Sequence, residues 1–285
     1  MGTIKRTIMD IPLNELEGVD DMFFRQIQMK QDRVMEKFAD RFRTTRDEFF
    51  SGVSMTGIFE SFPIDGIDGD EIRLHDRVIS CRMLSELFAE ADEIVLSAVT
   101  LKGYDELEAA EKDRLKILFL DGWGTAAVEK GHAWMKERIM ECSAGAELNT
   151  GSSWSPGQHD VDIRLQKDLF EILGPEEIGV TLTGSFMMHP KKSISSFTGI
   201  GESTEMVNVR ACDFCTRRDT CPAAYAYICV NIYVQKYSRN CKYTVTQCDR
   251  ERFAKIWLPP ENAEISTITA GSMFWHGICL YNICK

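Results

Sequence analysis

The sequence predicts an α+β fold in which helices flank a twisted mixed or antiparallel sheet. Strand-like apolar runs are interleaved with segments of helical periodicity, and some neighbouring strands are joined by short loops. Of the 285 residues, 44% are hydrophobic and 27% charged, which is ordinary globular composition. Because the chain has no internal repeat or low-complexity tract, we expect one large domain or a main domain with appendages.

The N-terminal part is predicted to be helical. Apolar side chains recur every three or four residues through 13–42, which indicates an amphipathic helix. A second helix start is predicted at Thr45, because Glu48 three residues later can close a capping box. A loop follows at Pro63 and the glycines after it, so residues 1–64 are predicted to be a helical extension.

The rest of the predicted main domain, residues 65–205, alternates strands and helices. The predicted elements are a strand at 72–79, a helix at 81–92, a buried strand at 93–99, a long helix at 107–142 with a break near Gly122, a Gly- and Ser-rich loop at 145–157, a helix at 162–173 that ends at Gly174, and strands at 178–183 and 193–200.

Charge and hydropathy exclude some classes of function. Lys and Arg total 33 against 44 Asp and Glu, and a net charge of −11 repels phosphate backbones, so nucleic-acid binding is not expected. No run of about 18 apolar residues predicts a membrane span. The N-terminus lacks the apolar segment of a signal peptide, so we expect a cytoplasmic protein.

Cysteines are concentrated at the C-terminal end. Eight of the ten follow residue 200, and in a reducing compartment clustered cysteines more often bind metal than form disulfides. We expect residues 206–285 to be a metal-binding region, with either an iron–sulfur cluster or zinc, although these thiols could also be metal-free. The candidate ligands are Cys212, Cys215, Cys221, Cys229, Cys241 and Cys248.

Several motifs together resemble the reactivation domains of cobalamin-dependent methionine synthases, especially the stand-alone members of anaerobes. The motifs are Ser153-Trp-Ser-Pro-Gly-Gln, Ile178-Gly-Val-Thr-Leu-Thr-Gly-Ser, Pro190-Lys-Lys-Ser-Ile-Ser, Ala91-Asp-Glu-Ile-Val-Leu-Ser-Ala-Val and Leu120-Asp-Gly-Trp-Gly-Thr-Ala-Ala-Val-Glu. The resemblance spans about residues 65–205. It implies an activation-domain-like fold, binding of S-adenosylmethionine, and a partner that carries the corrinoid.

The site residues implied by the resemblance are Glu129, Ser153, Ser155, Pro156, Gly157 and Gln158. The chain departs from the family pattern at three positions. Ser153 and Gln158 stand where the family has Arg and Tyr, and Gly184 stands where it has Glu. A serine cannot supply a bidentate charged contact to a carboxylate, so we expect weak or absent S-adenosylmethionine binding unless another cation, such as Arg164 or Lys192, replaces the arginine.

Three hypotheses follow from these residues. The first is an accessory protein that reactivates a corrinoid-dependent methyltransferase and reduces its cobalt, or gates that reduction, through an iron–sulfur centre. The second is a non-catalytic interaction module with structural zinc and a vestigial S-adenosylmethionine pocket. The third is an enzyme that uses a different small ligand, and the sequence does not decide whether there is turnover.

Overall fold

The computed structural model describes residues 2–74 and 77–203, all within one compact unit, Met1–Arg218. The strands are β1 (Thr7–Asp10), β2 (Ser54–Pro63), β3 (Gly66–Asp68), β4 (Glu71–Leu74), β5 (Arg77–Ser80), β6 (Glu93–Lys102), β7 (Asn149–Trp154), β8 (Thr181–Leu182), β9 (Met188–His189) and β10 (Ser193–Gly201). The helices are α1 (Val19–Gln26), α2 (Gln31–Gly52), α3 (Arg82–Leu87), α4 (Tyr104–Ala110), α5 (Arg114–Gly145) and α6 (Leu165–Leu173), with short 3-10 helices at Leu13–Glu15 and Pro175–Ile178.

A five-stranded antiparallel sheet forms the centre, with strand order β1-β2-β6-β10-β7. The central strand β6 pairs with β2 along ten residues and with β10 along eight. A small sheet, β3-β4-β5, and the pair β8-β9 lie outside it. The predicted α+β fold with an antiparallel sheet flanked by helices is confirmed.

Two hydrophobic clusters cover the two faces of the sheet, because successive strand residues point to opposite sides. One face is covered by α1, α2 and α5, which pack around a set of aromatic rings. The ring centroids of Phe23 and Trp123 in this set are 4.1 Å apart. On the other face α3 and α6 pack with the small sheet against residues such as Leu96 and Phe197. The helix α5 therefore lies on the first face of the sheet.

The long predicted helix at 107–142 is two helices, α4 and α5. The break is at residues 111–113, where Asp113 caps α5 by accepting a hydrogen bond from the Leu115 amide at 2.9 Å. The predicted break at Gly122 was wrong. Gly122 lies inside α5, and a Cβ there would come within 2.6 Å of Ile27 Cγ2, so this glycine allows α1 to approach closely.

Thr45 does not begin a helix, because it lies inside α2, buried, and its hydroxyl donates to the Arg41 carbonyl at 2.7 Å. The predicted strand at 72–79 is a hairpin of β4 and β5. The predicted loop at 145–157 contains β7, an edge strand paired with β10. Most of 178–183 is not a strand, since only Thr181–Leu182 forms β8.

Residues before and after position 64 share the central sheet. β1 and β2 precede the predicted boundary and pair with each other, and β2 pairs with β6 beyond it. The first 64 residues thus contribute strands as well as helices. No helix in the described part of the chain is long and apolar enough to cross a membrane.

Candidate functional site

The strands β6, β10 and β7 present hydroxyl groups on the face that α5 covers. The Ser97 and Ser196 hydroxyls share a hydrogen bond of 2.8 Å between β6 and β10. The Ser153 and Thr198 hydroxyls share another of 2.8 Å between β7 and β10. Ser196 and Thr198 are two residues apart on β10, so their side chains lie on the same face of the sheet. Together with Ser97 and Ser153 they form a layer of four hydroxyls, the polar floor.

Three polar side chains of α5 belong to the same site. Glu129, His132 and Lys136 follow one another at helical spacing and therefore lie along one face of the helix. His132 reaches the floor, with Nε2 3.0 Å from the Ser196 hydroxyl. We call these three residues and the four hydroxyls the polar cluster.

His132 is neutral at physiological pH. Burial, together with the nearby Lys136 ammonium, lowers the pKa of the imidazole from 6.5 to about 4. A neutral ring can hold one hydrogen bond with Ser196 and does not add a charge to the interior. This side chain therefore connects α5 to the hydroxyl pair of β6 and β10.

Lys136 and Glu129 have no hydrogen-bond or ion-pair partner among residues 2–74 and 77–203. Burial lowers the pKa of the Lys136 ammonium to about 8 and raises the pKa of the Glu129 carboxyl. Burial alone accounts for both pKa shifts, so the Lys136 ammonium and the Glu129 carboxylate do not stabilise each other. The Glu129 side chain is solvent-exposed, yet enough protein surrounds its carboxyl to disfavour the ionised form. Unpaired groups of this kind are typical of functional sites.

The helix and β10 run in the same direction, as two contacts show. Lys192, just before β10, donates to the Thr125 hydroxyl at 2.8 Å, and His132 meets Ser196 further along both elements. One turn beyond His132, Lys136 lies about 6 Å further along α5, in the direction in which Thr198 follows Ser196 on β10.

The motif residues after β7 form a tight turn. The Gln158 amide donates to the Ser155 carbonyl at 3.1 Å, and the Gly157 amide donates to the Val161 carbonyl at 2.8 Å. Gly157 has a φ of +86°, which explains why glycine is needed there. Pro156 is buried, whereas Gln158 is exposed.

The structure thus brings Ser153 and Glu129 to one side of the sheet. Ser153 belongs to the hydroxyl layer of the polar cluster through its bond to Thr198. Glu129 lies on the same side of α5 as His132. The turn of Ser155, Pro156, Gly157 and Gln158 begins next to the floor, because Trp154 pairs with Phe197, the neighbour of Ser196. Gly184 lies in the exposed β8–β9 connection, where a Cβ would meet no atom within 4 Å.

Neither cation suggested as a replacement for the missing arginine is available in the structure. The exposed Arg164 guanidinium pairs with Asp162 of its own turn at 2.5 Å. The Lys192 ammonium pairs with Asp121 at 2.6 Å and lies over the Tyr104 ring. Lys136, which sequence reasoning missed, has no carboxylate partner among the described residues and lies one turn beyond His132 on α5.

A periodic signal in the sequence marks these missed residues. Thr125, Glu129, His132 and Lys136 recur every three or four residues along α5, a spacing that places them on one side of the helix. Such a polar stripe on a buried helix indicates a site or an internal polar contact. The sequence did not show which strands the stripe faces.

The predicted metal ligands Cys212, Cys215, Cys221, Cys229, Cys241 and Cys248 lie outside the described residues. Within residues 2–74 and 77–203, no group of three or more His, Cys, Asp or Glu side chains is arranged to hold a metal ion. Cys81 is buried, and burial raises the pKa of its thiol.

Comparison with known proteins shows a likeness of fold. A crystal structure of the MetH reactivation domain bound to AdoHcy is similar to this chain with a TM-score of 0.53 and 17% sequence identity. The match covers 85% of this chain and 91% of that chain. No protein-family model matches the sequence, and no curated protein matches it at a significant level.

Proposed function

We propose that this chain is an accessory protein that restores a corrinoid-dependent methyltransferase to activity and binds an S-adenosyl compound in the polar cluster. The observation that supports this most is the match to the MetH reactivation domain bound to AdoHcy, which extends over nearly the whole of that domain. The placement of Glu129 and Ser153 on one face of the sheet agrees with it.

The residues of the polar cluster are suited to an S-adenosyl ligand. Its amino-acid portion carries a carboxylate and an ammonium group, and the cluster contains an unpaired lysine and an unpaired glutamate. The four hydroxyls add neutral hydrogen-bonding groups.

In this role the ligand supplies a methyl group to the partner's cobalt. A cobalt(II) corrinoid takes up one electron and then a methyl cation from the sulfonium, which yields methylcobalt(III) and leaves S-adenosylhomocysteine. We further propose that an iron–sulfur centre held by the C-terminal cysteines delivers or gates that electron. The partner carries the corrinoid, and this chain binds the methyl donor at the surface that meets it.

The function is tested with cobalt(II) cobalamin bound to the cobalamin-binding part of a methionine synthase. The mixture receives S-adenosylmethionine and titanium(III) citrate without oxygen, and visible absorption follows methylcobalamin. We expect methylcobalamin to form faster with this chain than with the cobalamin protein alone. An equal rate, together with no calorimetric binding of S-adenosylmethionine or S-adenosylhomocysteine, would reject the proposal.

The second candidate is an interaction module with structural zinc and no ligand. The observation in its favour is Ser153, whose hydroxyl bonds to Thr198 and carries no charge for a carboxylate. The visible spectrum of protein purified without oxygen separates the two metals. Broad absorption near the violet end indicates iron–sulfur, whereas a colourless protein with stoichiometric zinc supports the module.

A further inference from the structure

Lys136 differs from three other cations of α5 and its surroundings, because those three have carboxylate partners. Lys116 pairs with Glu48 at 3.1 Å, Arg138 with Glu141 at 2.9 Å, and Lys192 with Asp121 at 2.6 Å. Lys136 has no partner within residues 2–74 and 77–203, although it is only partly accessible to solvent. A buried unpaired charge destabilises the folded state, so such a residue indicates that an anion binds beside it.

The spacing of the two unpaired charges fits one amino-acid group. Glu129 and Lys136 are seven residues apart on α5, or about 10 Å along the helix. Side chains of a helix lean toward its N-terminus, so the lysine extends back over His132 toward the glutamate. A carboxylate and an ammonium group on one carbon, with a hydrogen bond at each end, span roughly 8 to 9 Å between the two side chains.

Lys136 is the only cation of the polar cluster, because His132 is neutral and the sheet contributes hydroxyl groups. His132 is held at Ser196, and the facing residues of β6, β10 and β7 are the hydroxyls of Ser97, Ser196, Thr198 and Ser153. None of these side chains competes for an anion with a negative charge.

We propose that Lys136 binds the carboxylate of the ligand's amino-acid portion and that Glu129 accepts hydrogen bonds from its ammonium group. This assignment rests on the proposed binding of an S-adenosyl compound. It places the positive charge on the helix α5, opposite the strand position that carries Ser153. Weak binding was expected because Ser153 replaces the family's arginine. With Lys136 as the cation for the carboxylate, we instead expect S-adenosylhomocysteine to bind.

The test compares two ligands that differ in the amino-acid portion. S-adenosylhomocysteine carries it, whereas 5′-methylthioadenosine has the same nucleoside and thioether without it. Calorimetry with the full chain should show S-adenosylhomocysteine binding at least about tenfold more tightly than methylthioadenosine. Lys136→Met should bind the two ligands with affinities within about threefold of each other, and Glu129→Gln should lose part of the preference.

Lys130→Met is the matched control. Lys130 lies on the same helix but packs beside Gly18 at the start of α1, away from the polar cluster. This variant should keep the wild-type preference for S-adenosylhomocysteine. Lys136→Arg, which retains the charge, should keep most of it as well.

The unfolding temperature of the variants distinguishes a ligand-binding lysine from one that stabilises the fold. Without ligand, Lys136→Met should unfold at a higher temperature than wild type, because an unpaired buried charge is removed, whereas Lys130→Met should not. If Lys136→Met retains the preference, the assignment of Lys136 is overturned while the proposed function is unaffected. If wild type binds neither compound, the proposed function and this assignment both fail.

Discussion

The helix α5 packs against two regions of contrasting character. Toward α1 and α2 it contributes Trp123 and Phe119 to a cluster of aromatic rings, and the Arg46 guanidinium lies over the Trp123 ring. Toward β10 its His132 contacts a hydroxyl group, and Glu129 and Lys136 lie along the same side of the helix. The first region stabilises the fold, and the second retains charges that a purely structural interface would not contain.

The difference shows how one helix divides its surface between stability and binding. Apolar residues surround most of α5, so the helix is held firmly whatever lies on its polar stripe. A rigid helix and a hydrogen-bonded sheet keep two unpaired side chains in place before any ligand arrives. Such preorganisation lowers the entropy cost of binding.

The largest expected effect is in the aromatic cluster. Trp123→Ala removes a fully buried ring stacked on Phe23, and we expect it to lower the free energy of unfolding by about 3–5 kcal/mol. Ser196→Ala, the corresponding change in the polar cluster, should cost only about 1–2 kcal/mol, since it removes hydrogen bonds without a large cavity. Urea denaturation of both variants measures the contrast, and equal losses would show that the two regions do not differ in this way.

A second prediction concerns acid stability. The pKa of His132 is about 4 in the folded chain against 6.5 as its ordinary value, so the unfolded chain takes up the proton first as the pH falls. Stability is therefore lost as the pH falls from about 6.5 through about 4. At pH 4 the loss due to this residue should be about 3 kcal/mol.

His132→Gln should not show this loss, because an amide does not titrate in this range. Chemical denaturation of the wild type and His132→Gln at pH 7 and pH 4 therefore measures how much free energy of unfolding each protein loses. If the two proteins lose the same amount of stability, His132 does not carry the acid sensitivity, and its ring is not held neutral by burial.

The sequence predicted the elements whose patterns are strong, and missed those that depend on pairing. The strand β6 was predicted because its apolar run fits a buried strand. The strand β7 was missed because Asn149-Thr-Gly-Ser-Ser is rich in turn-forming residues, and its extended backbone is stabilised by bonds to β10. Glu129 and Ser153 stay predictions from the resemblance, and Lys136 was not among them.

The reason Lys136 was missed is geometric. The polar stripe of α5 is visible in the sequence, but its meaning depends on which strand lies beneath it. That neighbour is β10, whose register with β6 and β7 sets four hydroxyls in one row. Pairings between residues about 60 to 100 positions apart leave no local pattern to read.

The last prediction moves the positive charge from the helix to the strand. Ser153 pairs with Thr198, which follows Ser196 on the same face of β10, so an arginine at position 153 should bring a second cation to the side of the sheet that α5 covers. Ser153→Arg alone should therefore gain little affinity for S-adenosylhomocysteine and should lower stability slightly through repulsion. Ser153→Arg combined with Lys136→Met should instead recover about tenfold in affinity over Lys136→Met alone, or about 1.4 kcal/mol.

Gln158 provides the control for this exchange. It is exposed and carries no charge, so adding Gln158→Tyr to the double variant should change affinity less than the relocated charge does. Calorimetry on the wild type, the two single variants, the double variant and the triple variant separates the contributions. Recovery of binding in Ser153→Arg/Lys136→Met, with little gain from Ser153→Arg alone, would show that the two positions serve the same carboxylate from opposite sides. Equal gains in both backgrounds would show that position 153 and Lys136 act independently, because a shared carboxylate requires the two charges to substitute for each other.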